Sequence, residues 1–509
     1  MTARIRHNDW SSLRPAPLGA WTPRLSVSVV IPAYQCQDAL DRTLAALAAQ
    51  SYPADLTEVV VADDGSATPL VLPPLAPHRT RIVRVPKGSW GRGAARQTGA
   101  SAASGDVIHW LDADMLLDRE HIEAHMRWHH LSDHVVVHGT IRFSDSTDEP
   151  TADHVYAETA AGRSADLFPA ESVHPHVWLE KTLAETRHLR DARSNPSRLH
   201  SGATTSVRAT LLARAGGVDV TMNMGEDTEL GYRLAQAGAV FIPDAEALSW
   251  HLGRSTVMLR EKEVHRHNWT LFADRIPDLR WLRTHPRRIY SVPYVEVITT
   301  ATTYEETRGT VDSALAGTIH DLSVTIDGPW HELTTGRRAS LDEPMLDLRL
   351  LGNLYAGEPR VNRAVRAPFR LRIPAGWALG ADSVAKLVRL AEKEGYGLVC
   401  AALAETHDGV AVARLERTAA FNRARLFPGE DPDDLVDELF GAHWVDGAEF
   451  GVVPLDEAGP VKGDAQTWRV AAEKHKAEAA RLRAEAERWK AEAEKLAAQP
   501  QGKRRWRSR

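Results

Sequence analysis

Cysteine is scarce: Cys36 and Cys400 are the only two among 509 residues. That excludes a disulfide framework and a paired-cysteine zinc site, and makes a reducing cytoplasm the expected setting. Long apolar runs are missing too. The first 25 residues hold charges, prolines, Trp10 and Trp21 but no apolar segment, so neither a signal peptide nor a membrane-spanning helix of about 20 apolar residues is expected. Nor is positive charge in excess, since 62 Lys and Arg face 68 Asp and Glu for a net charge of -6. No global basic surface is left to recruit nucleic acid. Walker A, Gly-x-Ser-x-Gly and Cys/His nucleophile patterns are absent, which sets P-loop hydrolysis and acyl transfer aside. Gly91-Arg92-Gly93 is an incomplete dinucleotide pattern that does not follow the first strand, and hydride transfer falls with it.

What is there is the composition of a folded protein, 43% hydrophobic and 26% charged, long enough for two or three domains. Ser26 to Ile31 is a β-branched run closed by Pro32, and Glu58 to Ala62 is another, closed by Asp63-Asp64-Gly65-Ser66. Between them, Leu40, Leu44 and Leu47 recur at helical spacing behind Asp38, an available N-cap. Strand, helix, strand predicts a βαβ unit with parallel strands. The unit repeats with a strand at Arg81 to Val85, a small-residue helix at Gly93 to Ser104 and a strand at Val107 to Leu111 that ends in Asp112-Ala113-Asp114. Residues 145–200 read as helices and loops covering the sheet, Ala203 to Arg214 and Glu226 to Ala237 as helices, and Val240 to Pro243 as a further strand.

Residues 294–456 carry a faint copy of this pattern. Tyr294-Val-Glu-Val-Ile-Thr matches the first strand, Glu306 to Leu315 the first helix, and Leu322 to Asp327-Gly328 the strand ending at Asp64-Gly65. Phe369 to Trp377 takes the place of the Asp112-Ala113-Asp114 strand without a carboxylate. A duplicated domain that has lost its acidic pair is the expectation. Beyond it, Trp468, His475, Leu482, Trp489 and Leu496 lie seven apart, each of the first four followed by Ala four residues later. This a/d seam predicts a coiled-coil helix and a homo-oligomer. The division expected is a 1–25 arm, a 26–290 catalytic domain, a 291–456 degenerate second domain, a 464–498 coiled coil and a 499–509 basic tail. Five of the last seven residues are basic, and at roughly 1 kcal/mol each near an anionic bilayer they allow reversible peripheral contact with the inner membrane face.

In an open α/β sheet, ligands sit beyond the carboxyl ends of the strands, where both acidic clusters fall. Asp112 and Asp114, two residues apart at a strand end, can turn both carboxylates one way and hold Mn²⁺ or Mg²⁺ against a diphosphate. An isolated Asp-x-Asp serves as often to cap a turn. Asp64 is placed either to shape an Asp-Gly turn or to accept the N–H of a uracil-type base. Gly225-Glu226-Asp227 opens a helix, whose N-terminus keeps carboxylates ionised. Asp227 is the candidate general base, with Glu226 as its understudy. His251 is a candidate third metal ligand just past the last strand, and Arg254 a candidate phosphate contact. His121, His125 and His129 share a helical face, but their spacing is not His-Glu-x-x-His, so a solvated face is expected there rather than zinc.

Val29-Val30-Ile31-Pro32-Ala33-Tyr34, Val61-Ala62-Asp63-Asp64-Gly65-Ser66, Leu111-Asp112-Ala113-Asp114 and Gly225-Glu226-Asp227-Thr228-Glu229-Leu230, in that order over residues 26–255, closely resemble the family 2 glycosyltransferases of GT-A fold. The stretch through Leu234 also looks like galactosyl- and N-acetylgalactosaminyltransferases, including bacterial chondroitin-type polymerases. The resemblance implies an α/β fold and an inverting single displacement. A sugar would move from a nucleotide sugar, UDP-linked by expectation, to a hydroxyl of a glycan or lipid-linked acceptor in cell-surface polysaccharide or glycoconjugate assembly. It also implies Pro32, Tyr34 and Asp64 in the nucleotide pocket, Arg96 near the diphosphate, Asp112 and Asp114 framing the metal, Asp227 as base and His251 as ligand. Two other readings stand beside it. A nucleotidyltransferase also uses paired aspartates but gives Asp227 and His251 no purpose, and a non-catalytic scaffold would use the heptad helix to hold partners.

Overall fold

The computed structural model describes residues 2–458 and 481, without 193–195, 286, 364 and 408. Residues 1–455 form one compact unit and 456–509 another. The heptad segment 464–498 and the basic tail 499–509, Arg481 aside, lie outside the described residues. Among the described residues no helix is long and apolar enough to cross a membrane.

A mixed sheet is built from β1 (Val27–Ala33), β2 (Thr57–Asp63), β3 (Thr80–Arg84), β4 (Val107–Leu111), β5 (Met115–Leu117), β6 (Val135–Ser144), β7 (Val173–Pro175), β8 (Thr204–Arg208) and β9 (Val240–Leu252). Its order is β3-β2-β1-β4-β8-β6-β9-β5, with β7 paired to β6. The run β3-β2-β1-β4 is parallel, as two successive βαβ units demand. β1, β2 and β4 are buried along nearly their whole length, because helices cover both faces and the strands read as continuous β-branched runs. The helix Arg92–Ala102 packs close against β1 since Gly99 has no Cβ, where one would lie 2.4 Å from Cγ1 of Val30. Val29, Ile31, Leu44, Val59, Val61 and Leu111 centre the core on one face, and Val30, Ile108, Trp110, Leu230 and Phe241 on the other.

Four expectations are corrected. Thr204–Arg208 is the strand β8, and the helix expected from Ala203 begins only at Ala209; Thr204, Thr205 and Val207 are β-branched, and the strand pairs with both β4 and β6. β9 does not stop at Pro243 but runs on to Leu252, a register shift beside Gly139 and Thr140 absorbing the polar stretch. The first helix, Gln37–Ala48, starts before Asp38 with no side-chain cap. The helix His121–His129 is buried at every residue rather than solvated.

A second sheet follows, from β10 (Val295–Thr300), β11 (Leu322–Asp327), β12 (Phe369–Arg372), β13 (Trp377–Leu379), β14 (Leu398–Thr406), β15 (Gly409–Arg417), β16 (Ala442–Asp446) and β17 (Val452–Pro454). Six of these strands pair in the order β11-β10-β12-β15-β14-β16, while β13 and β17 form a separate pair. Strand for strand this repeats β2-β1-β4-β8-β6-β9, with the same succession of parallel and antiparallel neighbours. The β13–β17 pair, antiparallel like β5–β9, repeats that one. The second sheet has its own core around Val297, Leu322, Leu371, Leu387 and Leu415.

Candidate active site

β4 ends at Leu111, and the chain turns through Asp112-Ala113-Asp114 before β5. The turn is pinned where Thr43 Oγ1 donates to the carbonyl of Ala113 at 2.8 Å and Leu252 N donates to that of Asp114 at 2.9 Å. β5 pairs with β9 so that Met115 faces His251, and the imidazole thereby arrives beside the acidic turn. Carboxylate oxygens of Asp112 and Asp114 and a ring nitrogen of His251 all lie within 4.8 Å of one another. His251 Nδ1 lies 3.1 Å from the carbonyl oxygens of Leu252 and Gly253. Carbonyls only accept, so Nδ1 carries a hydrogen, and Nε2 faces Asp114 Oδ2, 3.6 Å away. Burial and the charge of Asp112 push the Asp114 carboxyl above its ordinary range, while His251 pulls the other way. Asp114 also borders a cleft of about 810 Å³ with Gln35, Cys36, Arg42, Leu70 and Glu149.

Behind the turn lies Arg96, from the helix Arg92–Ala102, 3% exposed. Its Nη2 donates to Asp112 Oδ1 at 2.6 Å, and its Nη1 meets the carboxylate of Glu226, itself 1% exposed. A Cβ on Gly202 would collide with this guanidinium at 2.0 Å, so the glycine is what lets the arginine in. Glu226 and Asp227 open the helix Glu226–Gln236, entered through Gly225 at φ 80°, a left-handed conformation that suits glycine. Asp227 is half-buried. Its Oδ2 accepts from Gly202 N at 3.1 Å and its Oδ1 from Thr228 N at 2.7 Å. Burial alone would raise its pKa, but Arg96, the Gly202 amide, His200 and the Thr228 amide outweigh that and hold the carboxylate below the ordinary range.

The nucleotide-pocket candidates sit beyond β1 and β2. Pro32 is half-buried and Tyr34 is 56% exposed. Asp64 Oδ2 accepts from Gly91 N at 2.8 Å, while its Oδ1 is buried with no hydrogen-bond partner among the described residues. Burial first, then neighbouring Asp63, raise its pKa against the Gly91 hydrogen bond. Arg254 is exposed and stands 3.5 Å from Asp145.

The structure thus brings Asp112, Asp114 and His251 together, links Asp112 to Glu226 through Arg96, and leaves Arg254 at the rim. Arg96 is a buried counter-ion beneath the acidic turn rather than an exposed cation. Sequence reasoning passed over His200, fully buried with Nδ1 2.8 Å from the carbonyl of Asp227, and Gly202; neither stands in a recognisable pattern. His109, His121 and His125 also converge within 4.8 Å. All three are buried and kept neutral, chiefly by desolvation, and a divalent ion among three neutral ligands would be a buried charge without a counter-ion. They fill the space behind the sheet.

In the second sheet, register counted from Val107 and from Phe369, each paired with the first residue of its neighbouring strand, sets Pro374 where Asp112 stands and Gly376 where Asp114 stands. Likewise Pro454, opposite Trp377, stands where His251 does. None of these can ligate a metal through a side chain.

A parallel-to-mixed α/β sheet with an acidic turn after its fourth strand defines a nucleotide-diphospho-sugar transferase fold of GT-A type. Residues 28–188 match the family described as Glycosyl transferase family 2, so the chain carries a glycosyltransferase family 2 domain. Validoxylamine A glucosyltransferase of Streptomyces hygroscopicus subsp. limoneus is 29% identical over 297 residues, 54% of this chain and 63% of that protein. Pre-mycofactocin glycosyltransferase of Mycobacterium tuberculosis is 30% identical over 255 residues, 50% of this chain and 48% of that protein. The chain therefore spans 48% and 63% of the length of these two curated relatives. Among solved structures, a mannosyltransferase from Pyrobaculum calidifontis in complex with GDP-Man and Mn²⁺ covers 54% of this chain and 67% of its own, with 18% identity and a TM-score of 0.34.

Proposed function

We propose that the chain is an inverting, metal-dependent glycosyltransferase that moves a sugar from a UDP-sugar to a hydroxyl of a glycan or lipid-linked acceptor in surface-polysaccharide or glycoconjugate assembly. The observation that carries this reading is the convergence of Asp112, Asp114 and the imidazole of His251. Two carboxylates and an imidazole are a donor set suited to Mn²⁺, and to Mg²⁺ through the oxygens. A divalent ion bound there supplies charge screening for the diphosphate as it leaves.

The protein's own groups do the rest. Asp227, kept ionised by Arg96 and two backbone amides, accepts the proton of the acceptor hydroxyl as that oxygen attacks the anomeric carbon from the face opposite the diphosphate. Its Oδ1 takes both the amide and the hydroxyl of Thr228, whereas Oδ2 holds one hydrogen bond, from Gly202 N, and keeps a lone pair for the incoming proton. Glu226, buried against Arg96, is the poorer base because the acceptor has no path to it. Asp64 Oδ1, lacking a partner, takes the N–H of uracil, with Pro32 and Tyr34 beside the base. Arg254 at the rim reaches phosphate oxygens.

The matching strand order and the exchange of Asp112, Asp114 and His251 for Pro374, Gly376 and Pro454 support reading residues 291–456 as a degenerate copy of the 26–290 catalytic domain. In that reading it has one role left, in acceptor binding or packing, and a two-site polymerase is disfavoured. The test is UDP release from UDP-sugars with and without Mn²⁺, beginning with UDP-galactose and UDP-N-acetylgalactosamine. Release that depends on metal and vanishes in Asp114→Ala supports the assignment. Pyrophosphate formation from UTP would replace it with a nucleotidyltransferase, and no turnover or binding of any nucleotide sugar with a scaffold.

A further inference from the structure

A second cavity, of about 490 Å³, lies between the helix Glu226–Gln236 and the second sheet, on residues outside the site described above. Five arginines line it, Arg214, Arg233, Arg275, Arg366 and Arg370, against the two carboxylates of Asp219 and Glu229. Arg233 is spent on a bidentate pair with Glu229, both contacts at 2.6 Å, and Arg275 faces Asp219 at 3.0 Å. Arg370 Nε, buried, comes only within 3.5 Å of Glu296 and makes no hydrogen bond among the described residues. Arg214 and Arg366, exposed at the mouth, form no ion pair or hydrogen bond among the described residues.

Two residues lining the same cavity carry a neutral polar atom without a partner among the described residues. Tyr232 is 3% exposed, and its hydroxyl has no partner among the described residues. Burial pushes its pKa far up, so it remains an O–H donor. Gln236 Oε1 is also buried and unpartnered. A buried donor and a buried acceptor left unmade each cost more than an ordinary hydrogen bond returns, and a ligand with an anionic end and hydroxyls would satisfy both.

We propose that this cavity binds a small phosphorylated molecule, a sugar phosphate or a mononucleotide, whose phosphate is gripped by Arg214, Arg366 and Arg370. Guanidinium groups match phosphate oxygens two at a time, and three arginines short of partners suit a dianion better than a single carboxylate. Ala215, Ala237, Val292 and Ala367 give the rest of the ligand an apolar wall. Tyr232 and Gln236 follow Asp227 by five and nine residues on one helix, roughly 8–14 Å along its axis. Occupancy is therefore felt by the helix that presents Asp227.

The test is calorimetric titration of the full chain, stripped of metal with EDTA, with glucose 1-phosphate, UMP and inorganic phosphate. Saturable binding of an ester is expected, weakened about tenfold or more in Arg214→Ala/Arg366→Ala, and the glucose 1-phosphate and UMP arms distinguish the two ligand sources. Both arginines lie at the surface, so the unliganded melting temperature should not move, and Arg366→Lys should retain part of the affinity. Asp114→Ala should titrate like the wild type, which separates this cavity from the donor site. Unchanged affinity in the arginine variant, loss in Asp114→Ala alone, or no binding of either ester would overturn the proposal.

Discussion

Replacing Arg96 with Met asks how much the acidic turn and the helix of Asp227 owe to one buried cation. Met keeps the length and apolar stem of the side chain but removes the charge. Arg96 and Glu226 are 3% and 1% exposed, and Asp112 completes the triad. Breaking a buried pair leaves a carboxylate without compensation, which costs about 3–5 kcal/mol. Urea denaturation followed by tryptophan fluorescence should show a loss of that order. Adding Glu226→Gln removes the stranded charge, and the double variant should be more stable than Arg96→Met alone, a coupling that a double-mutant cycle measures directly. Kinetics give an independent reading. Arg96 is the foremost of the groups that lower the pKa of Asp227, and a base must be ionised to work, so activity should persist on the acidic side in the wild type. The acidic limb of kcat/KM should move to higher pH in Arg96→Met. A stability loss below about 1 kcal/mol, the range of exposed pairs, or no recovery on adding Glu226→Gln, would refute the buried-triad argument. An acidic limb that stays in place would detach Arg96 from the base.

Asp114→Asn should lower metal-dependent turnover at least ~100-fold and weaken Mn²⁺ binding, while His251→Ala should weaken Mn²⁺ about 10–100-fold, both read by titration of activity against metal. Asp64→Ala removes the unpartnered oxygen and should cost roughly 10–100-fold in kcat/KM for a UDP-sugar; an unchanged value would place the uracil elsewhere. Glu58 accepts from Ser104 N at 2.5 Å and from Arg81 Nη1 at 2.8 Å, and meets Ser28 Oγ. Burial opposes its charge, but these bonds win and bring its pKa down to about 2 from 4.5. A carboxyl depressed in the folded state stabilises above its unfolded pKa and loses that contribution as pH falls through the folded one, so Glu58→Gln should cost on the order of 2–3 kcal/mol near pH 7 and close to nothing near pH 2. A gap that stays constant across that window would contradict the assignment.

The parts of the site that the sequence made legible are those set by one strand and the turn after it. β1, β2 and β4 announce themselves as short β-branched runs, and the acids following them fall at the sheet's carboxyl edge by topology alone. What stayed hidden depends on partners far along the chain. The resemblance puts Arg96 near the diphosphate, but nothing in its own helix shows that its partners are Asp112 and Glu226. The helix His121–His129 looks solvated because every second residue is polar. It is buried because Glu123 takes Gly19 N, Trp21 Nε1 and Ser51 Oγ, Arg127 pairs with Asp244, and His129 meets Ser206. No local periodicity records such pairings. β9 was cut short for the opposite reason: Pro243-Asp244-Ala-Glu246 looks like a terminator, but the register shift carries the strand past it and delivers His251.

The first sheet's half also reaches beyond the matched segment. Residues 28–188 stop short of Asp227, and the helix that presents Asp227 is held at its far end by residues of the second sheet's half. Asn422 Nδ2 donates to the carbonyl of Gln236 at 2.8 Å. Arg423, 4% exposed, donates to Gly238 at 2.9 Å, to Ala239 at 2.8 Å, to Ile5 at 3.2 Å and to the carbonyl of His7. No carboxylate meets this guanidinium among the described residues, and burial brings its pKa down to about 9, so near neutrality it is a full charge solvated by backbone carbonyls. A cation just past a helix C-terminus is where the macrodipole favours it; Arg423 takes carbonyls of the segment after the helix and of the amino-terminal arm, while Asn422 takes that of Gln236, one the helix leaves unmade. The same side chain ties in the amino-terminal arm, whose Ile5 and Leu13 pack on Trp128, Val135 and Ile242. A second sheet without metal ligands thus keeps a physical purpose: with the arm, it fixes the C-terminal end of the helix whose first turn holds Asp227, the proposed base.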